Sequence, residues 1–145
     1  EQLGRKRSLG PGYCPTHARI TPKEILDRKA AHPRALALAQ PECPKPVRVV
    51  ADHVLSTGQM CKFVADNPAT EFIIATEEGL IHRLKKDHPG KIFYRVSPFA
   101  VCPNMKRSTL AKGPVCLRHR TPAVQVDPTI AARARRAIEQ MLAWS

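Results

Sequence analysis

EFIIATEEGLIHRLKKDHPGKIFYRV, residues 71–96, decides the fold. Glu71 to Thr76 contains a short apolar run of the kind expected for a strand buried on both faces, and it breaks into Glu77-Glu78-Gly79. Leu80, Ile81 and Leu84 then recur at helical spacing beside the basic Arg83, Lys85 and Lys86, which predicts an amphipathic helix ended by Pro89-Gly90. Lys91 to Val96 reads as the next strand. A strand, a helix and a strand joined by such short connections imply a right-handed crossover within a parallel sheet.

The same alternation runs upstream. Thr21-Pro22-Lys23-Glu24 places a Thr cap, a Pro at the first helical position and a Glu three residues after the cap, a capping box that opens a helix to about Ala31, before His32-Pro33. A strand over 35–39 follows and stops in the polar turn Gln40-Pro41-Glu42-Cys43. Residues 46–53 form a short element whose type, helix or strand, the pattern leaves open. Ser56 caps a helix through about Asp66, with Met60, Phe63 and Val64 on one face. Open α/β proteins bind ligands outside the carboxyl ends of their strands, which makes Glu42 and Thr57 site candidates. The plainer reading is that Pro41 and Pro44 break a strand and Ser56 caps a helix.

Downstream of Cys102 the sheet pattern stops. Cys102-Pro-Asn-Met leads into a further helix start, and Asp127-Pro128 opens another, along which Ile130, Ala134, Ile138, Met141 and Leu142 recur at helical spacing. The predicted architecture is α/β: a small three-layer αβα domain with a parallel sheet over residues 21–102, followed by a helical C-terminal tail over 103–145 that is expected to pack on an N-terminal domain missing from this chain. Residues 1–20 are expected to be a linker or the end of a preceding domain.

A chain of 145 residues with 43% hydrophobic and 25% charged residues can bury one real core. No apolar run approaches the roughly 20 residues of a membrane span, and EQLGRKRSLG at the N-terminus has basic residues with no apolar stretch behind them. An unprocessed, cytoplasmic protein with no membrane partner is expected. The net charge of +12 is concentrated at the ends: residues 103–145 hold eight basic and two acidic residues, against twelve and nine in residues 21–102. Without interleaved aromatics or a DNA-binding motif, this excess fits solvated helix faces or attraction of small anionic substrates better than nucleic acid. The cysteines, Cys14, Cys43, Cys61, Cys102 and Cys116, are odd in number and irregularly spaced, which argues against a disulfide framework. Cys14-Pro-Thr-His17 is a lone C-x-x-H. Cys14 and Cys102 each precede a predicted helix, whose N-terminus would favour the metal-binding thiolate.

Five separated motifs coincide with one family. PGYCPTHARIT at 11–21, QPECP at 40–44, ADHVLST at 51–57, ATEEGLIHRLKKDHPGKIF at 75–93 and CPNMK at 102–106 resemble the C-terminal half of quinolinate synthase, the iron-sulfur enzyme of NAD biosynthesis. The resemblance implies an α/β domain beside a central site where three cysteines hold a 4Fe-4S cluster with one open iron. Cys14 and Cys102 match two of the ligand positions, and the third ligand has no counterpart in this chain. Cys43, Cys61 and Cys116 match none. It further implies substrate contacts at Gln40, Pro41, Glu42 and Thr57, a catalytic role for Glu42, and a catalytic position beside the cluster for His17. The implied reaction is a transferase condensation of iminoaspartate with dihydroxyacetone phosphate, supplied by L-aspartate oxidase upstream. The family has His where this chain has Gln40, and Gly113 to Arg120 read unlike it, so a fragment or degenerate member inactive by itself is expected.

Two other classes remain open to the same residues. One is a small metal-binding protein using Cys14, His17, Cys43 and Cys102. The other is a basic nucleic-acid-binding module using the charges at the chain ends.

Overall fold

The computed structural model describes residues 12–143. Residues 1–11, most of the expected linker or preceding domain end, lie outside the described residues. A single turn, α1 (Pro15–Ala18), leads into α2 (Pro22–Ala31), then β1 (Leu36–Ala39), α3 (Lys45–Val50), β2 (His53–Val54), α4 (Thr57–Asp66), β3 (Glu71–Ala75), α5 (Gly79–Asp87) and β4 (Ile92–Arg95). The undecided stretch 46–53 resolves into both alternatives, a short helix and then a two-residue strand. Pro44 and Pro46 hold the fixed φ that suits a helix start, and this outweighs the strand preference of Val47, Val49 and Val50.

All four strands are parallel, in the order β2-β1-β3-β4. The register sets Leu36 to Ala39 opposite Phe72 to Ala75, and Glu71 to Ile74 opposite Ile92 to Arg95. Every residue of β3 is buried, because helices cover both faces of the sheet. On one face Ala37, Ala39, Ile73 and Ala75 pack against Ile25 of α2 and Val47 of α3. On the other, Leu38, Phe72, Ile74 and Phe93 pack against Met60 and Val64 of α4 and Leu84 of α5. This is the three-layer αβα arrangement expected from the sequence. Burying each of the larger side chains contributes about 1.5–3 kcal/mol.

Two capping boxes fix the helix starts: Thr21 with Glu24 at α2, and Ser56 with Gln59 at α4. The edge of the sheet is closed by Asp52, whose carboxylate accepts from the Ala37 N–H at 2.7 Å and from Lys29 at 2.6 Å, while its own N–H donates to the Ala37 carbonyl at 2.9 Å. One side chain thereby joins α2, β1 and the approach to β2.

The chain divides into two compact units, residues 1–103 and 104–145. The second contains a short 3₁₀ turn (Met105–Arg107), α6 (Lys112–His119) and α7 (Pro128–Ala143). Asp127 caps α7, its carboxylate accepting from the N–H groups of Thr129 and Ile130. Helix α6 ends at Arg120, which takes the left-handed conformation with φ 53°.

Candidate functional site

In the order β2-β1-β3-β4 the chain leaves β1 in one direction and reaches β3 in the other, so the switch point lies between β1 and β3. A crevice outside their carboxyl ends follows from that topology. The turn after β1 is anchored there: the Gln40 N–H donates to the Ala75 carbonyl at 3.3 Å, and the Cys43 N–H closes the turn on the Gln40 carbonyl at 3.0 Å.

Helix α1 delivers Cys14 and His17 to this point. Pro15 starts the turn, the Cys14 carbonyl accepts from the Ala18 N–H at 3.0 Å, and His17 is buried as a result. Its ring bridges two strand ends. Nε2 lies 2.9 Å from the Thr76 hydroxyl just after β3, and Nδ1 lies 2.9 Å from Glu42 Oε2 in the turn after β1. The second contact is close but misaligned for a hydrogen bond, so buried Nδ1 has no hydrogen-bond partner. Cys14 Sγ joins the group: one ligand atom each of Cys14, His17 and Glu42 lies within 4.8 Å of the others. Cys14 and Glu42 also line, with Gly12 and Tyr13, an open cavity of about 430 Å³.

The other sequence candidates fall nearby in part. Gln40 and Thr57 meet, the Gln40 amide donating to the Thr57 hydroxyl, while Pro41 is exposed at the turn. Neither Gln40 nor Thr57 lines the Cys14–Glu42 cavity. Glu42 itself is 59% exposed at its side chain, facing solvent yet beside Cys14 and His17. Half-buried Cys102 is held at the end of β3 by Glu77, whose Oε1 accepts from the Cys102 N–H at 3.4 Å and whose Oε2 accepts from the Gly79 N–H at 2.7 Å. Thus His17 is tied to Thr76, and Cys102 to the adjacent Glu77.

Three expectations change. Cys102 leads into a 3₁₀ turn, and the next α-helix begins only at Lys112, so no α-helix N-terminus stands at Cys102 to favour a thiolate. Cys14 precedes only a four-residue turn, which has little dipole to offer. Cys43 leaves the metal-binding alternative: it is buried in the core, its Sγ donates to the Ala75 carbonyl at 3.5 Å, and burial pushes its pKa up to about 11. Its neighbour Glu42 takes the place beside Cys14 and His17. Thr76 and Glu77 were not among the sequence candidates; the signal for them was their position, the first polar residues after the apolar run Phe72 to Ala75.

Residues 1–143 match the quinolinate synthetase A protein family. The chain is 46% identical over 132 residues to a quinolinate synthase of Geotalea uraniireducens, covering 91% of this chain and 43% of that protein. It is 43% identical over 142 residues to one from Dehalococcoides mccartyi, covering 98% and 47%, and 38% identical over 153 residues to one from Ehrlichia chaffeensis, covering 100% and 49%. The chain spans less than half the length of these relatives.

Proposed function

This chain belongs to the quinolinate synthase family, and from that premise we propose that it supplies one part of a site that condenses iminoaspartate with dihydroxyacetone phosphate to quinolinate, releasing phosphate and water, for NAD biosynthesis. The observation that carries this reading is the meeting of Cys14, His17 and Glu42 at the carboxyl end of the sheet, with Cys102 tethered at the end of the adjoining strand. L-aspartate oxidase is the proposed source of iminoaspartate. Among the described residues no helix is long and apolar enough to cross a membrane. The free thiols suit a reducing compartment, and a cytoplasmic location is the proposed one.

The donors fit a 4Fe-4S cluster in part. Cys14 and Cys102 would hold it, and the family's third thiolate must come from outside these 145 residues. When bound, such a cluster with an open iron supplies a Lewis acid for the dehydration steps. The chain's own groups do the rest. Closing the ring requires removal of carbon-bound protons and delivery of protons to departing oxygens; the exposed Glu42 carboxylate can take and return them. His17 lies directly behind that carboxylate, its Nδ1 2.9 Å from Glu42 Oε2, while Thr76 fixes the ring. Thr57, at the start of ten-residue α4, offers a hydroxyl and free N–H groups to a substrate carboxylate or phosphate, with Gln40 orienting the hydroxyl.

The polypeptide of these 145 residues by itself is expected to form no quinolinate. Supplied with the other half of a family member and reconstituted anaerobically with iron and sulfide, it should gain a cluster and show turnover. Glu42→Gln should then cut the rate by about 10²–10⁴-fold, the usual cost of losing a general acid-base group. Gln40→His, which restores the family's titratable side chain, should raise it. Full cluster assembly in the Cys14→Ala, Cys102→Ala double variant would overturn the assignment.

A further inference from the structure

The contact between His17 and Glu42 poses a problem of charge that the cluster does not solve. If the Thr76 hydroxyl accepts the Nε2 proton, Nδ1 carries a lone pair 2.9 Å from a carboxylate oxygen, two acceptors in close contact. The ring is buried, no in-line proton relieves Nδ1, and the thiol of Cys14 lies in the same small group. Such a confluence of lone pairs is relieved by a cation. We propose that Cys14 Sγ, His17 Nδ1 and the Glu42 carboxylate form a site for a single divalent ion of borderline softness, of which Zn²⁺ is the type, with its fourth position open to solvent.

The donor set matches that chemistry. One thiolate, one imidazole and one carboxylate are the ligands such ions take in sites that keep a position free. Ligand bonds of about 2.3 Å to sulfur and about 2.0 Å to nitrogen would bring sulfur and nitrogen to roughly 3.5 Å of each other in a tetrahedron. The present separations, none greater than 4.8 Å, therefore need to close by no more than about 1 Å on binding. Cys14 can make that move because it is half-buried and sits ahead of α1, its side chain making no cap hydrogen bond. The buried His17 need not move. Thr76 then has the role usual for the partner of a metal-bound histidine: it takes the far ring proton and so keeps Nδ1 free to bind.

This site is distinct in composition from the cluster reading, since it uses His17 and Glu42 and not Cys102. The two share Cys14 and exclude each other. The mononuclear ion is thus the occupant expected of this chain without sulfide and without its companion cysteine.

The test is an anaerobic titration of the reduced, metal-free chain with Co²⁺, followed by displacement with Zn²⁺. One cobalt per chain is expected, with the visible bands of a tetrahedral ion and a thiolate-to-cobalt charge-transfer band. Cys14→Ser should abolish the charge-transfer band. Glu42→Gln, at an exposed side chain whose loss leaves the fold intact, should weaken binding at least as much as the roughly 10–100-fold typical of losing a ligand's supporting partner. Thr76→Val should weaken it by about tenfold and Thr76→Ser should restore it. Cys102→Ser should change nothing here, although it should prevent cluster assembly in the reconstituted protein. Binding that ignores Glu42→Gln, a six-coordinate spectrum without charge transfer, or loss of the site with Cys102→Ser would each overturn the proposal.

Discussion

Residues 12–103 and residues 104–143 are written in the same apolar vocabulary and put it to opposite uses. In the first, Leu38, Phe72, Ile73, Ile74, Met60 and Val64 are removed from water, each by a partner on a facing element. In the second, Leu110 is 93% exposed and Leu117 84%, and Ile130, Ile138, Met141 and Leu142 along α7 are exposed as well. The periodicity of α7 is as regular as that of α5. Helical spacing tells which residues a helix can bury together, and only a covering surface makes that burial real.

The contrast is broken most severely by cutting into the sheet. Phe72→Ala removes a fully buried ring between α4, α5 and β4 and should cost about 3–5 kcal/mol, through both lost burial and the cavity left behind. Urea unfolding followed by circular dichroism measures it. A loss below about 1 kcal/mol would mean that the sheet core is as undemanding as the tail.

A smaller effect is expected at the sheet's edge, where Asp52 does by hydrogen bonding what the core does by packing. Asp52→Ala leaves the buried Ala37 N–H without its acceptor and should cost about 1–3 kcal/mol, whereas Asp52→Asn keeps an acceptor and should cost less. Burial pushes the Asp52 pKa up, but the hydrogen bonds from Lys29 and the Ala37 N–H outweigh it and leave the pKa below its ordinary value of 3.8. A carboxyl depressed by folding contributes stability that is whole above the unfolded pKa and is lost as pH falls through the folded one. Acid titration of stability should therefore show a loss below about pH 4 in the natural chain that Asp52→Asn lacks.

Most of the sheet is legible in the sequence. The Thr21–Glu24 box, the apolar run at 72–75 and the Asp127-Pro128 start are local signals, and each produces the element it announces. The stretch at 46–53 is not legible because prolines and valines make opposite demands there. The site is half legible. Cys14, His17 and Glu42 stand out singly, but nothing local says that His17 meets Thr76 across 59 positions, since that pairing is made by the order of the strands. Cys43 misleads for a related reason: a cysteine beside Glu42 in a polar turn looks accessible, and only the sheet reveals that it points inward.

The smallest effect belongs to the tail, where the comparison can be sharpened. If the stripe on α7 were part of a core, Ile138→Ser would cost several kcal/mol, as truncation of a buried Ile does. At 52% exposure it should instead change the stability of this chain by no more than about 0.5 kcal/mol, the range of ordinary surface substitutions. The stripe still has consequences for association. Exposed Ile138, Met141 and Leu142 lie at the i, i+3, i+4 spacing that presents one apolar face, and we propose that this face packs on the N-terminal domain of the full-length protein. Ile138→Ser should then weaken capture of the other half of a family member in a pull-down while leaving unfolding of the chain unchanged. Undiminished capture by the variant would place the docking surface elsewhere and leave α7 as a helix whose apolar face has another use.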